Sequence, residues 1–152
     1  VAAEPIERLL DVGTGTGILC LTGLKLGAKT AKGTDVDPVA VKAAIENAER
    51  IGLADRFTGS DADANTDGPI YDGVVANILA NTLIELVEPI VGAARSGGRL
   101  WLSGVLLEPI SNGRPTVYCK ADQENRSKAS SQGFHVLRRN RQWKINHRSN
   151  FS

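Results

Sequence analysis

The sequence predicts an α/β domain built on a mostly parallel sheet with helices on both faces. Three observations carry that expectation. Apolar strand candidates alternate with helical segments from Arg8 to Val105, the order that βαβ units produce. Glycines crowd the first strand-to-helix joint, at Gly13, Gly15 and Gly17. The chain has 152 residues, the size of one ordinary domain.

The elements follow in order. Residues 8–12 read as a short buried strand running into the glycines. Residues 17–26 read as a helix closed by Gly27, and residues 30–35 as a second strand. Asp37 and Pro38 mark a helix start, Asp as the cap and Pro at the first helical position. Val41, Ala44, Ile45, Ala48 and Ile51 give that helix its apolar stripe, and Gly52 ends it. Residues 56–59 form a weaker strand candidate, 60–69 a loop rich in Asp, Asn and Gly, and 71–78 a strong strand. Asn81 is expected to cap a helix carrying Leu83, Ile84, Leu86 and Val87, with Pro89 kinking it or starting its next segment. A turn is expected at Ser96-Gly97-Gly98 and a strand at 99–105, with Trp101 packed inside. Beyond Glu108 the periodicity decays; a poorly amphipathic helix at 120–130 and strands at 134–137 and 142–145 are expected.

Composition narrows the function. The chain is 41% apolar and 23% charged, close to a soluble globular average, which excludes wholesale disorder. No stretch approaches the roughly 18 apolar residues of a membrane span, so no membrane partner is expected. The start, Val1 to Pro5, lacks a signal-peptide pattern. Cys20 and Cys119 cannot supply a four-ligand zinc site, and both histidines lie near the C-terminus, so no metal is expected. No Gly-x-Ser-x-Gly elbow occurs. Charge is unevenly spread: residues 1–111 carry nine Lys/Arg against fifteen Asp/Glu, and residues 112–152 nine against two. That basic tail is either a solvated end or a contact for nucleic acid, and it lacks the aromatic spacing of a nucleic-acid module.

The chemistry concentrates at residues 11–17, Asp-Val-Gly-Thr-Gly-Thr-Gly. Glycine lets the backbone turn sharply and approach a ligand closely. The following helix start offers unpaired N–H groups and a positive dipole end. The spacing G-x-G-x-G differs from the G-x-G-x-x-G of dinucleotide dehydrogenases. Asp35, roughly 20 residues on, ends the second strand where a carboxylate can accept both ribose hydroxyls of an adenosine group. The plain alternatives are a tight structural turn and a solvated loop acid. Cys20 reads as a core residue, and Trp143 and the arginines at 138, 139 and 141 as surface.

With these residues in place, the chain resembles the class I S-adenosylmethionine-dependent methyltransferases, which implies a Rossmann-like fold and S-adenosyl-L-methionine as cofactor. Residues 11–17 look like their first motif and Asp35 like their ribose acid. The resemblance implies that Asp11 helps orient the cofactor's methionine end and that Gly13, Thr14, Gly15 and Gly17 pack against the cofactor. Val74 to Ala80, with residues 97–106, is similar to the ribosomal-protein lysine methyltransferases of the PrmA type, over about residues 8–108. Gly133-Phe134 and Trp143 look like remnants of that family's C-terminal strands. By the same resemblance Asn77 is the catalytic orienting residue, holding the acceptor nitrogen or the cofactor's methionine group, and Asp61 falls at the adenine contact. The implied reaction moves a methyl group to an amine nitrogen of a protein substrate, a large-subunit ribosomal protein in that family.

The expected organisation is a cofactor-binding core over residues 1–110. A divergent basic part over residues 111–152 can complete the sheet with a strand pair. Relatives of this type carry an N-terminal substrate-recognition domain and a segment that closes over the methionine end. A start at Val1 without any Met therefore gives the expectation of a piece of a longer protein. The rival readings are a cofactor-binding module without catalysis and a methyltransferase for another substrate. The compartment expected is the cytoplasm, or a mitochondrion or plastid after loss of a targeting segment.

Overall fold

The computed structural model describes residues 5–61, 67–103, 134–139 and 142–147. Five parallel strands form one sheet in the order β3-β2-β1-β4-β5: β1 Arg8–Val12, β2 Thr30–Thr34, β3 Phe57–Ser60, β4 Tyr71–Asn77 and β5 Ala94–Ser103. The helices are α1 Ile18–Lys25, α2 Pro38–Arg50, α3 Ala80–Glu85 and α4 Val87–Ala93. The order reverses direction between β1 and β4. Open parallel sheets take ligands outside the carboxyl ends of their strands at such a switch point.

The alternation of side chains along each strand divides the core in two. On one face Leu10, Val12, Val74 and Ala76 meet Leu83, Val87 and Ile90 of α3 and α4. On the other, Leu9, Ala31 and Phe57 meet Cys20, Leu21 and Leu24 of α1 and Ala44 and Ala48 of α2. Both faces of the sheet therefore carry helices, as the alternating sequence pattern requires. The α2 stripe is narrower than its periodicity suggests: Val41, Ala44 and Ala48 are buried, while Ile45 and Ile51 stand partly exposed at its margin.

Two charged side chains pin the end of the sheet remote from the glycines. Asp72 accepts from the amides of Glu7 (3.1 Å) and Arg8 (2.8 Å) through one oxygen and from Arg95 Nε (2.5 Å) through the other. It thereby joins the start of β1, β4 and β5. Arg56 closes α1: its Nη2 donates to the carbonyls of Leu24 (3.0 Å) and Ala28 (2.5 Å), and its Nε to that of Lys29 (3.0 Å). A cation on the last carbonyls satisfies orphan acceptors and suits the helix dipole. Asp67, ahead of β4, accepts from Lys32 Nζ and Tyr71 Oη, both at 2.6 Å.

Several local expectations are corrected. Asn81 does not cap a helix; α3 starts one residue earlier, with Leu79 at its cap position and no side-chain cap. Residues 96–98 lie inside β5, where pairing with β4 slips between Ala94 and Arg99, so the expected turn is an irregularity within one strand. Trp101 is 46% exposed, with the Arg99 guanidinium 5.7 Å from its ring. The chain breaks at Leu86 into α3 and α4, leaving Pro89 in the first turn of α4, where a missing N–H costs nothing. Asp37 caps α2 as expected, accepting from Val39 N at 2.9 Å. The strands expected near 134 and 142 are β6 Phe134–Arg139 and β7 Gln142–His147, paired antiparallel as a separate two-stranded sheet. The expected helix at 120–130, Cys119 and residues 104–105 lie outside the described residues.

Burial opposes the charge on Asp72, but Arg95 and the amides of Arg8 and Glu7 outweigh it and hold the carboxyl below its ordinary value. A depressed folded pKa contributes stability that is present above the unfolded value, near 3.9, and lost as pH falls through the folded one. Asp72→Asn is expected to cost about 1–3 kcal/mol at neutral pH. It should also flatten the acid limb of stability against pH, as measured by urea unfolding from pH 7 downward.

Candidate functional site

The carboxyl ends of all five strands lie along one rim. β1 runs into the glycine loop, β2 into Asp35 and β3 into Asp61, while β4 ends at Asn77 and β5 at Ser103. The cofactor-site residues expected from the sequence, Asp11, Gly13, Thr14, Gly15, Gly17, Asp35, Asp61 and Asn77, therefore sit on this rim or directly behind it.

The loop is held to β2 by its backbone. The amides of Gly13 and Thr14 both donate to the carbonyl of Thr34 at 2.8 Å, and Gly17 N closes the turn on Thr14 O at 2.9 Å. Gly13, Gly15 and Gly17 have φ of 73°, 53° and 82°, in the left-handed region where a Cβ is disfavoured. At Gly13 space also forbids a side chain, since a Cβ would overlap the side chain of Ile78. At Gly15 a Cβ would meet nothing within 4 Å, so that side of the loop is open. Gly17 occupies the cap position of α1 and leaves the helix without a side-chain cap.

Asp35 is the hinge between this loop and α2. Its Oδ2 accepts from Gly15 N at 2.9 Å and its Oδ1 from Asp37 N at 3.0 Å. An ionised carboxylate has about four acceptor positions. One position on each oxygen thus remains for a ligand. Between Asp35 and Asp37 stands Val36, 95% exposed, an apolar surface beside the carboxylate.

Asp11 lies beneath the loop with no exposed surface. Thr14 Oγ1 donates to its Oδ2 at 2.9 Å, while its Oδ1 is buried without a hydrogen-bond partner. Burial pushes the Asp11 carboxyl above its ordinary value; the Thr14 hydroxyl opposes the shift and the charge of Asp35 adds to it. Asp11 thus supports the loop from behind rather than standing open on the rim. Next to it the Cys20 thiol is also fully buried, and burial followed by the Asp11 charge pushes its pKa up. Asn77 is exposed, and its Oδ1 accepts from Ser103 Oγ at 3.0 Å. Asp61 is exposed at the end of the edge strand β3, two strands away from β1.

Asp11, Thr14, Gly15 and Asp35 are therefore brought into one hydrogen-bonded unit, with Asn77 and Asp61 placed to either side. Four further residues escaped sequence reasoning. Asn47 donates from Nδ2 to Thr16 O at 3.0 Å and ties the loop to α2. Its signal was a polar residue on the loop-facing side of that helix. Gly33 of β2 lies against Thr14 of the loop, and Ser103 pairs with Asn77 across two strands; spacing reveals neither contact. Val36 carried a signal, an apolar residue between two acids at a strand end.

Known proteins match this arrangement. A family model described as ribosomal protein L11 methyltransferase (PrmA) matches residues 2–114. The chain is 47% identical over 105 residues to a ribosomal protein L11 methyltransferase of Erwinia tasmaniensis, covering 69% of this chain and 36% of that protein. It is 49% identical over 101 residues to the one from Xylella fastidiosa, covering 65% and 32%. The chain thus spans about a third of the length of the curated relatives it matches. Among solved structures, a ribosomal protein L11 methylase from Lactobacillus delbrueckii subsp. bulgaricus aligns with a TM-score of 0.64 at 25% identity, covering 97% of this chain and 71% of that one. An S-adenosyl-L-homocysteine complex of a SAM-dependent methyltransferase from Geobacter sulfurreducens aligns at 0.55 and 25% identity, covering 66% and 42%. The [4+2]-cyclase SpnF aligns at 0.54 and 31% identity, covering 65% and 39%.

A Cβ at Gly33 would lie 2.6 Å from Thr14 Oγ1 and 2.9 Å from both Thr14 carbons. Gly33→Ala must therefore displace the residue that joins the loop to Asp11. The expected cost is about 1–3 kcal/mol, read as a lower midpoint in thermal unfolding.

Proposed function

The chain belongs to the ribosomal protein L11 methyltransferase (PrmA) family, and on that premise we propose that it binds S-adenosyl-L-methionine and transfers its methyl group to an amine nitrogen of a protein, with a ribosomal protein as the substrate class. One observation carries the cofactor assignment. The Asp35 carboxylate is fixed by the amides of Gly15 and Asp37 and keeps one acceptor position on each oxygen. Two hydroxyls on neighbouring carbons, as in a ribose, match that pair. The remaining features fit the same ligand. Val36 offers an apolar surface for an adenine ring. Gly15 leaves the loop side clear.

Bound there, the cofactor supplies a methyl group already activated on a sulfonium, so the acceptor nitrogen gains the N–CH3 bond as the S–CH3 bond breaks. The chain's own residues then have mainly to position the partners. Asp35 holds the adenosine end, the loop backed by Asp11 and Thr14 shapes the wall beside it, and Asn77 orients groups at the reacting end. A lysine has a reference pKa near 10.4 and must lose its proton before attack. Desolvation at the rim and a nearby positive sulfonium both favour the neutral amine. Asn77 does not act as a base, because a carboxamide does not titrate.

We place the adenosine site in residues 1–110 and assign residues 111–152 to an appended part, whose described strands β6 and β7 pair with each other and not with the main sheet. A ribosomal substrate puts the reaction in the cytoplasm, or in a mitochondrion or plastid. No helix among the described residues is long and apolar enough to cross a membrane. SpnF supplies a specific reason to keep a second reading, since a [4+2]-cyclase shares this fold. Under that reading the chain binds the cofactor without transferring its methyl group.

Calorimetric titration with S-adenosyl-L-methionine is expected to show saturable binding, and titration with NAD none. Asp35→Ala should weaken the first at least about tenfold, as loss of two charge-assisted hydrogen bonds predicts. Unchanged affinity in a folded variant would remove the ribose assignment. Binding without methylation of a ribosomal protein extract would favour the second reading.

A further inference from the structure

Asn47 stands inside α2, and its side chain reaches out of its own element: Nδ2 donates to the carbonyl of Thr16 at 3.0 Å. The partner fixes the orientation of this carboxamide. A carbonyl only accepts, so the NH2 end must face it and the oxygen cannot. A second contact lies one turn earlier on the same helix face. Gly17 packs on Ala44, where a Cβ at Gly17 would lie 3.0 Å from the Ala44 Cβ and 3.3 Å from its Cα. The face of α2 that carries Ala44 and Asn47 therefore rests on the joint between the glycine loop and α1.

The peptide between Thr16 and Gly17 is thus held at both ends, its carbonyl by Asn47 and its N–H by Thr14 O at 2.9 Å. Glycine accepts both signs of φ, so a peptide leading into Gly17 can turn over at little cost unless hydrogen bonds choose its orientation. We propose that Asn47 is a positioning residue for cofactor binding, which by donating to Thr16 O holds this peptide in one orientation and keeps Gly15 N on Asp35. This rests on the cofactor reading above and makes the affinity of that site depend on a residue of α2. The bonds close a ring: Asp35 holds Gly15 and Asp37, Asp37 caps α2, and α2 returns to the loop through Asn47. Helix stability gives no reason for this residue. Asn is a weak helix former and Ala the best, so what Asn47 contributes is the bond it makes outside the helix.

Calorimetric titration of the full chain with S-adenosyl-L-homocysteine tests this in the wild type, Asn47→Ala and Asn47→Asp. Loss of one neutral hydrogen bond is expected to weaken binding about 3- to 10-fold in Asn47→Ala. Asn47→Asp keeps the shape but sets a carboxylate oxygen against the Thr16 carbonyl, and should bind no more tightly than Asn47→Ala. A side chain that merely fills space predicts the reverse order, with Asn47→Asp near wild type and Asn47→Ala weakest. That order, or wild-type affinity in both variants, would overturn the proposal. The thermal midpoint of ligand-free Asn47→Ala should stay close to that of the wild type, because the gain in helix propensity offsets the lost bond. A midpoint that falls while affinity holds would point to a purely structural asparagine and sink the idea. A second measurement needs no ligand: the 15N–1H amide signals of Gly15 and Gly17 should shift in both variants. Unchanged signals overturn the hydrogen bond itself. Failure of the wild-type chain to bind S-adenosyl-L-homocysteine would instead overturn the cofactor reading on which the proposal stands.

Discussion

The carbonyl of Thr34 and the carboxylate of Asp35 hold the site together. Between them they accept the amides of Gly13, Thr14 and Gly15, three of the five residues from Gly13 to Gly17. A glycine-rich loop has large conformational freedom when unfolded and loses more of it on ordering than other sequences do. Without acceptors arranged on the neighbouring strand, the same residues would have no reason to adopt one shape. The parallel pairing of β1 with β2 places those acceptors, because residue 12 stands opposite residue 34 when both strands end. Packing beneath then fixes the rest: Thr14 fits the space that Gly33 leaves, and its hydroxyl rests on Asp11. Asn47 adds a tie from α2.

This arrangement explains why a buried acid with an unpartnered oxygen is tolerated. Leaving such a group unsatisfied costs on the order of 1–3 kcal/mol in general. Asp11 is retained under the loop despite that cost, where its other oxygen anchors Thr14. Asp35 is arranged differently: it is only partly buried, and its two oxygens hold the amides of Gly15 and Asp37. The two acids, 24 residues apart in the chain, therefore play different parts.

Much of this was legible in the sequence, and the reasons are local. The strands at Arg8–Val12 and Tyr71–Asn77 are dense apolar runs, the Asp37-Pro38 start is chemically explicit, and the glycines stand where their φ values require them. What was not legible depends on partners distant in the chain. The Asn77–Ser103 bond spans 26 residues and follows from a register that no spacing encodes. The slip in β5 turns a turn-like Ser-Gly-Gly run into part of a strand, because pairing with β4 resumes beyond it. Asn81 looked like a cap, but α3 begins one residue earlier and uses no side-chain cap at all. Trp101 alternates correctly but faces a part of the sheet that α1 and α2 leave uncovered. The family could be recognised because its distinctive residues fall at strand ends, where local sequence and the ligand edge of the sheet coincide.

The burial of Cys20 has a consequence of a different kind. Its sulfur sits in the core below the loop, close enough to Asp11 for that charge to act on it. A thiol reacts as the thiolate, and here both exclusion from water and a neighbouring carboxylate suppress that form. Alkylating reagents can reach it only when the packing between α1 and the sheet opens. The rate at which this sulfur is modified is therefore a clock for the breathing of the first βα unit, and any ligand that clamps the loop onto β2 would slow it.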